Sequence, residues 1–464
     1  MFRAKMFKLS LKPEKKMSNE TCAQIMRLTL VAHKFLDLYD DVLGYIGRFV
    51  VSCLRSWRSL ILVNQKFARL FRDPQFFDDL DLTMGRPELV FPKCKELVAG
   101  LRSVKLISVN ESQLRLAFST PCQLHTIVLV DCLFSLRNIN FLAGMTTLKS
   151  LRLQHCLMVS DLDVGLDLHH LTLTGCDRIS DASLDPVFRM SNLRTLTLHR
   201  LSITDTSFTR LEHLRSLHTL NLCYLDITDA TLVSLEELPS LQTLNLEGCA
   251  RCTAQGLRAL WRITELGLSK WDQLTDLSTI PSTVTALDLS QCEWLMDLRA
   301  LQAPGLQKLN ILACADVQNV DHLSCMHQLT DLCLANCRHV SRLPPFTALQ
   351  RLDLSHCTAI TDEVLLPANL TVLDLKWTAV TDLVLRKSIS QMNMLQELCL
   401  SGTSITNEGL LHLESLRSLE RLVLNHVNGI TVECLPMLWN LPKLTCADMS
   451  NSRRIPFGFW ILRK

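Results

Sequence analysis

Residues 193–205 read LRTLTLHRLSITD and residues 217–229 read LHTLNLCYLDITD, so Leu193, Leu196, Leu198, Ile203, Thr204 and Asp205 return as Leu217, Leu220, Leu222, Ile227, Thr228 and Asp229. Working outward, the same L-x-x-L-x-L block begins at Leu101, Leu124, Leu148, Leu168, Leu241, Ile263, Val284, Leu306, Leu329, Leu349, Leu370, Leu395, Leu419 and Leu444, with a degenerate copy, FDDLDL, at Phe77. Neighbouring starts lie 20 to 25 residues apart. A fixed period of this size marks a chain built from one supersecondary unit repeated many times. Leucine supplies 94 of the 464 residues, and that excess is accounted for by the repeat.

Within each block the fourth and sixth positions are apolar and their neighbours polar, which predicts a short strand with one buried face. No single coil can cover its own leucines, so successive coils must stack and the end coils need caps. After the strand comes a turn and often Ile-Thr-Asp or a close variant, as at Ile179-Ser180-Asp181, Leu274-Thr275-Asp276, Ile360-Thr361-Asp362 and Val380-Thr381-Asp382. Thr and Asp at such a place are expected to accept hydrogen bonds from the first backbone donors of a helix. Short helices are therefore expected on the convex side. In the coils from Leu168, Val284 and Leu349 there should be room for little more than one helical turn.

Cys132, Cys156, Cys176, Cys249, Cys292, Cys314, Cys337 and Cys357 occupy one column of the repeat, replaced by Val109, Leu201, Leu225, Trp271, Thr378 and Thr403 in other coils. A thiol in such a column fills space and donates weakly to backbone groups. A ladder of neighbouring cysteines reads as free thiols in a reducing compartment, the cytosol or nucleus. The start, MFRAKMFKLSLKPEKKM, is basic and poor in acids; it reads as a solvated tail, with a mitochondrial presequence as the alternative.

The pattern resembles cysteine-type leucine-rich repeats. The resemblance covers residues 77–464 and implies an α/β leucine-rich-repeat solenoid of about 16–17 coils, a horseshoe with a parallel sheet on its concave face and a C-terminal cap. Residues 35–76 fall outside the period. Leu38, Val42, Ile46 and Phe49 recur at helical spacing, and Leu60, Val63, Phe67 and Leu70 mark a second helix stopped by Asp73-Pro74. This segment resembles an F-box, from Leu38, Asp40, Asp41, Val42 and Leu43 through Ile46 and Phe49 to the run Leu60–Phe67. It departs from the family at Tyr39, where Pro is usual after Leu38, and at Asn64, where Cys is frequent.

An F-box ahead of such repeats is the layout of the F-box and leucine-rich-repeat family. The resemblance implies a receptor subunit of an SCF-type cullin-RING ubiquitin ligase. Leu38, Val42, Leu43, Ile46, Phe49, Leu60, Val63 and Phe67 would bind the ligase adaptor, itself joined to the cullin, and the repeats would bind a client protein. The organisation expected is a basic tail over 1–34, an F-box-like helical domain over 35–76 and the solenoid over 77–464. The alternative is a non-enzymatic structural or assembly scaffold whose N-terminal helices only cap the solenoid.

No catalytic constellation is evident. Cys249-Ala250-Arg251-Cys252 is a lone C-x-x-C inside a repeat turn, and His155, His169 and His170 lack H-E-x-x-H spacing. The reading is therefore of a binding protein without catalytic residues, metal or cofactor. With a net charge of +2 there is no bulk field toward nucleic acid or membranes, and no run of 18 uncharged apolar residues suggests a membrane span.

The polar strand positions map the binding face. Early coils contribute Arg102, Lys149, Arg152, His155, His170, Arg194 and Arg200; later ones add Asp288, Asp331, Asp353, Asp374, Glu397 and Asp448, interleaved with Lys308, Arg351 and Lys376. A polarised face is expected, its basic half suited to an acidic or phosphorylated segment, with nucleic acid as a weaker reading. Trp377, beside Lys376, is the candidate anchor because exposed Trp is enriched at interface hot spots. Arg453, Arg454 and the tail FGFWILRK are expected to cover the last coil.

Overall fold

The computed structural model describes residues 102–118, 123–134, 142, 145–162, 165–272, 274, 276–452, 455 and 460–462. The basic tail, the F-box-like segment 35–76 with all eight adaptor-binding candidates, the copy at Phe77, and Arg453, Arg454, Phe457 and Phe459 lie outside the described residues. The chain divides into two compact units, Met1–Val130 and Asp131–Lys464.

In the first unit β1 (Ser103–Ile107) and β2 (Thr126–Val130) pair in parallel, with Val104, Leu106, Ile127 and Leu129 buried. A helix, Glu111–Ala117, follows β1.

The second unit is one continuous ladder. It begins with four five-residue strands: β3 (Ser150–Gln154), β4 (His170–Thr174), β5 (Thr195–His199) and β6 (Thr219–Cys223). Ten three-residue strands follow, from β7 (Thr243–Asn245) and β8 (Glu265–Gly267) to β15 (Arg421–Val423) and β16 (Cys446–Asp448). Each pairs in parallel with the next. The register places leucine on leucine, as in Leu151↔Leu171, Leu171↔Leu196 and Leu352↔Leu373. The fold is thus a leucine-rich-repeat solenoid. A closing strand, β17 (Trp460–Leu462), pairs antiparallel with β16, so the tail's backbone covers the edge that the last coil would otherwise leave open.

The return segments are mostly 3-10 turns, such as Asp205–Thr209, Gly256–Ala259 and Asp321–Cys325, with true helices at Asp229–Ser234, Asp382–Lys387 and Leu435–Asn440. A 3-10 turn rises about 2.0 Å per residue against 1.5 Å for an α-helix, so it crosses the back of a short coil in fewer residues. The coils from Val284 and Leu349 contain turns only, as expected. The coil from Leu168 does not conform: it runs 25 residues to Leu193 and carries both a 3-10 turn, Asp181–Leu184, and a helical turn, Asp185–Phe188.

The signature Thr and Asp divide the labour differently from the expectation. Thr204, Thr228, Thr381, Thr406 and Thr431 cap their own helices, each accepting from the amide two residues on. The Asp instead reaches forward into the next coil. Asp181 accepts from the Thr204 amide at 2.8 Å, from Thr206 Oγ1 at 2.7 Å and from Ser207 Oγ. Asp205 does the same with the Thr228 amide and the hydroxyls of Thr228 and Thr231, at 2.6–2.8 Å. Asp229, Asp362 and Asp382 repeat the arrangement. Only Asp276 caps its own turn, through Ser278. Burial on its own pushes the Asp181 and Asp205 carboxyls up, but the hydrogen bonds they accept outweigh it and hold both below the usual carboxylate value.

The cysteine column has an equally specific task. Cys249, Cys292, Cys314, Cys337 and Cys357 donate across the coil boundary to the carbonyls of Leu222, Leu268, Leu289, Ile311 and Leu334, at 2.7–3.3 Å. Ser452, at the same position of the last coil, donates to Leu424 O at 3.0 Å. Where Trp271 replaces the thiol it is fully buried, and its indole N–H donates to Cys249 O at 2.8 Å. Each of these seven side chains thus donates to a carbonyl of the preceding coil, whereas Thr378 and Thr403 in the same column donate within their own coil, to Leu375 O and Leu400 O. The thiols of Cys176, Cys249, Cys292, Cys314, Cys337 and Cys357 are free and buried, and burial pushes their pKa values up.

Candidate functional site

Because the leucines of every strand point into the coil, the residue between them points out. The outward positions of β3–β16 therefore form one polar face whose chemistry changes along the ladder. On β3–β6 the central row is Arg152, Thr172, Thr197 and Asn221; farther on it includes Asp288, Asn310, Cys333, Asp353 and Asp374.

In six of the ten three-residue strands the side chain at this position also takes up the next free amide; the other four carry Gly267, Cys333, Cys399 and Val423 there. Asn245, Asp288, Asn310, Asp353, Asp374 and Asp448 each accept, through Oδ1, the backbone N–H two residues ahead, at 2.8–3.0 Å. This Asx turn takes an amide that would otherwise continue the ladder, and each of these strands stops at three residues. Arg152, Thr172 and Thr197 do not engage that amide, and Asn221 turns its Nδ2 to Thr197 Oγ1 at 3.0 Å instead. Their strands run two residues farther.

A residue in the left-handed region follows the strands, directly after the five-residue ones and three residues past the three-residue ones. His155, Arg200, Tyr224, Lys270, His356, Trp377 and His426 have φ of 52–60° there, and Gly175, Gly248 and Gly402 hold the same place in other coils. At each glycine a Cβ would collide with the preceding coil's ring, which lies flat over it: His155 over Gly175, Tyr224 over Gly248, Trp377 over Gly402. The result is a raised rim along the trailing edge of the strands.

The nine residues expected on the concave face separate into four places. Arg152, His170 and Lys376 lie on the strands' polar face or its direct continuation. His155, Arg200 and Trp377 are on the rim, and Lys149 and Arg194 are at the leading edge, one residue before β3 and β5. Arg102 precedes β1 in the first unit. Lys149 is not a free cation: its ammonium pairs with Asp167 at 3.3 Å and also meets Asp167 O. The Asp167 carboxyl is held below its usual value, chiefly by the Asn192 amide. Trp377 is 42% exposed and stands between His356 and His426, with ring centroids at 6.4 and 5.8 Å. It borders a depression of about 560 Å³ that continues over Gly402, Ser404 and Asn428.

A second depression, about 580 Å³, lies across the middle strands, where Glu265, Asp288, Asp331, Asp353 and Asp374 face Lys308 and Arg351. Arg351 approaches Asp331 at 3.5 Å. Burial, followed by the neighbouring Asp353 charge, raises the Asp374 carboxyl's pKa.

The first strands of the unit carry the opposite sign. His170 is held below its ordinary pKa by burial and then by His169, Arg194 and Arg152; His199 is held down by burial and Arg200. Among the described residues no carboxylate pairs with Arg152, Arg194 or Arg200. The guanidinium of Arg200 rests on the Tyr224 ring at 4.9 Å. The next carboxylate along, Glu247, is already engaged by Tyr224 Oη at 2.8 Å and Lys270 Nζ at 3.2 Å.

The expectation of a polarised face therefore holds within the second unit. The threonine floor of β4 and β5 was missed; the doubled pattern HLTLT and TLTLH was its available signal. Cys249 and Cys252 are buried donors to Leu222 O and Ile227 O, bound into the coil stack. Among the described residues no group of three or more His, Cys, Asp or Glu side chains is arranged to hold a metal ion, and no helix is long and apolar enough to cross a membrane.

Comparison with known proteins agrees on the repeat. Residues 347–363 match the family model described as Leucine Rich repeat. No curated protein matches the chain. Among solved structures it is similar to TLR13 in the TLR13–ssRNA13 complex, at 21% identity and a TM-score of 0.48 over 76% of this chain and 53% of that one. The present chain thus spans about half the length of that protein. It is also similar to a leucine-rich-repeat protein of Leptospira interrogans, at 18% identity and a TM-score of 0.38, covering 84% and 87% of the two chains. A third similarity is to the crystal structure of the Rad7 and Elc1 complex in yeast, at 15% identity and a TM-score of 0.40, with 95% of both chains covered.

Proposed function

We propose that this chain is a non-enzymatic substrate receptor of an SCF-type ubiquitin ligase, with residues 38–74 engaging the ligase adaptor and the strand face of the second unit holding the client protein. The single observation that carries the binding half is the polar strand face, with arginines at one end that no carboxylate among the described residues pairs and a carboxylate-lined depression farther along. The recruiting half rests on the F-box resemblance of Leu38–Pro74. Its mechanism would be proximity, raising the local concentration of client lysines near a charged ubiquitin carrier. The cytosol or nucleus is the compartment that the buried free thiols favour.

The test is capture of the adaptor and cullin by the full chain, compared with a Leu43→Asp, Ile46→Asp variant. The receptor reading expects capture by the wild type and its loss in the variant. If the wild type recovers neither protein under conditions where an established F-box protein does, the N-terminal segment is a cap and the chain a scaffold.

A further inference from the structure

We propose that the face of β3–β6 is a recognition site for a phosphorylated segment of a protein partner, seated on the threonine hydroxyls of β4 and β5 and gripped by Arg152, Arg194 and Arg200. The inference takes from the preceding reading only that the strand face is where a partner binds; it does not depend on residues 38–74.

The floor comes from two strands in register, with His170 opposite Thr195, Thr172 opposite Thr197 and Thr174 opposite His199. Their leucines are buried, and Thr172, Thr174, Thr195 and Thr197 stand half-buried on the outer side. Among the described residues the hydroxyls of Thr172, Thr174 and Thr195 have no hydrogen-bond partner, and Thr197 only accepts, from Asn221. Four O–H donors are therefore available to an incoming acceptor. The walls are cationic. Arg152 lies opposite Thr172 on the adjacent strand, Arg194 leads into β5 and Arg200 leaves it, and the His155 ring covers Gly175 between them. His199 Nδ1 is buried with no partner.

Donors without acceptors, ringed by guanidiniums without carboxylates, define an anion site. A phosphate monoester suits it because one group brings nearly two charges and three strong acceptor oxygens, enough to use the threonine floor and the arginine forks together. The patch covers three strand spacings, about 14 Å, room for one such group and its flanking residues. A nucleic-acid strand fits poorly, because its phosphates would continue over Glu265, Asp288, Asp353 and Asp374 with unfavourable charge. The exposed Asp131, one coil before His155 on the rim, marks the patch's acidic boundary on the other side.

The experiment is fluorescence anisotropy of the full chain with a phosphoserine peptide pool of randomised flanks, alongside the unphosphorylated pool, a glutamate pool and a twelve-nucleotide single-stranded RNA. The phosphoserine pool is expected to bind at least about tenfold more tightly than the other three. Arg152→Gln and Arg200→Gln should each weaken it by about tenfold, as loss of one charge-assisted hydrogen bond would. Thr172→Val with Thr197→Val should weaken it severalfold, and Lys387→Gln not at all. Thermal melting of every variant separates lost binding from lost folding. Equal affinity for the unphosphorylated or glutamate pool, preference for RNA, or full affinity in folded arginine variants overturns the proposal. Loss of adaptor capture with phosphopeptide binding intact refutes the ligase reading alone.

Discussion

The coils of β3–β6 and those whose strands run from Ala286–Asp288 to Glu397–Cys399 share one backbone ladder and one set of buried leucines, yet their outer faces carry opposite chemistry and their strands differ in length. In four of the later coils an Asp or Asn between the leucines, at Asp288, Asn310, Asp353 and Asp374, folds back on the amide two residues ahead, and the strand stops at three residues. In the early coils Arg and Thr leave that amide to the sheet, and the strand extends to Gln154, Thr174 and His199. A single outward position therefore sets the charge offered to a partner and, where it is Asp or Asn, engages the local backbone as well, while the inward leucines remain the same. Stability and recognition are separable along this chain because they occupy opposite sides of the same strands.

The largest expected effect lies at the seam between the two regions. Trp271→Ala empties the largest fully buried side-chain volume among the described residues and takes the indole donor from Cys249 O, which keeps only the Cys252 amide at 3.3 Å, so chemical denaturation should show a loss of about 3–5 kcal/mol. A loss below about 1 kcal/mol would mean that the seam is not tightly packed.

Next is the forward-reaching aspartate. Asp205→Ala strands the Thr228 amide and the buried Thr231 hydroxyl, at a cost of about 2–3 kcal/mol. The pH dependence follows from the direction of its shift. A carboxyl held low in the fold binds protons more readily when unfolded, so its stabilisation is complete above the unfolded value of about 3.9 and is lost as pH falls through the folded value. Between pH 5 and pH 3 the wild-type melting temperature should therefore fall more steeply than that of Asp205→Asn. Parallel curves would remove Asp205 from the acid response.

Smaller effects probe the contrast itself. Cys357→Ala removes one of the two donors to Leu334 O, leaving only the Cys337 amide, and should cost about 1 kcal/mol, whereas Cys357→Ser, which keeps a donor, should cost less; the reverse order would reduce the column to space-filling. Asp353→Thr should lengthen its strand, seen as slower hydrogen exchange at the Ser355 amide, with little change in global stability.

Much of this was legible in the sequence because a period of about 23 residues leaves few alternatives. Every described block start from Leu124 to Leu444 is buried, and in the second unit each leads into a strand. The column cysteines were recognisable as packed thiols, and their hydrogen bonding to backbone groups followed from their placement. The recipient carbonyl was not legible, because it belongs to the preceding coil. The same limit hid Asp181 and Asp205, whose partners lie 23–26 residues ahead. Lys149 looked like a free face cation because its partner, Asp167, sits at the leading edge of another coil. The Thr172–Thr197 floor went unread because threonine in a strand is ordinarily a matter of β-propensity; only the register and the absence of partners give it a role.

The central claim is that a partner docks on the strand face and not on the returning turns. The direct measurement is photo-crosslinking with benzoylphenylalanine placed at Thr172 on the face and, in a second variant, at Glu236 on the exposed return segment, each in the full chain within cells. The account predicts a discrete protein adduct from position 172 that Arg200→Gln diminishes, and none from position 236. Adducts from 236 alone would contradict it.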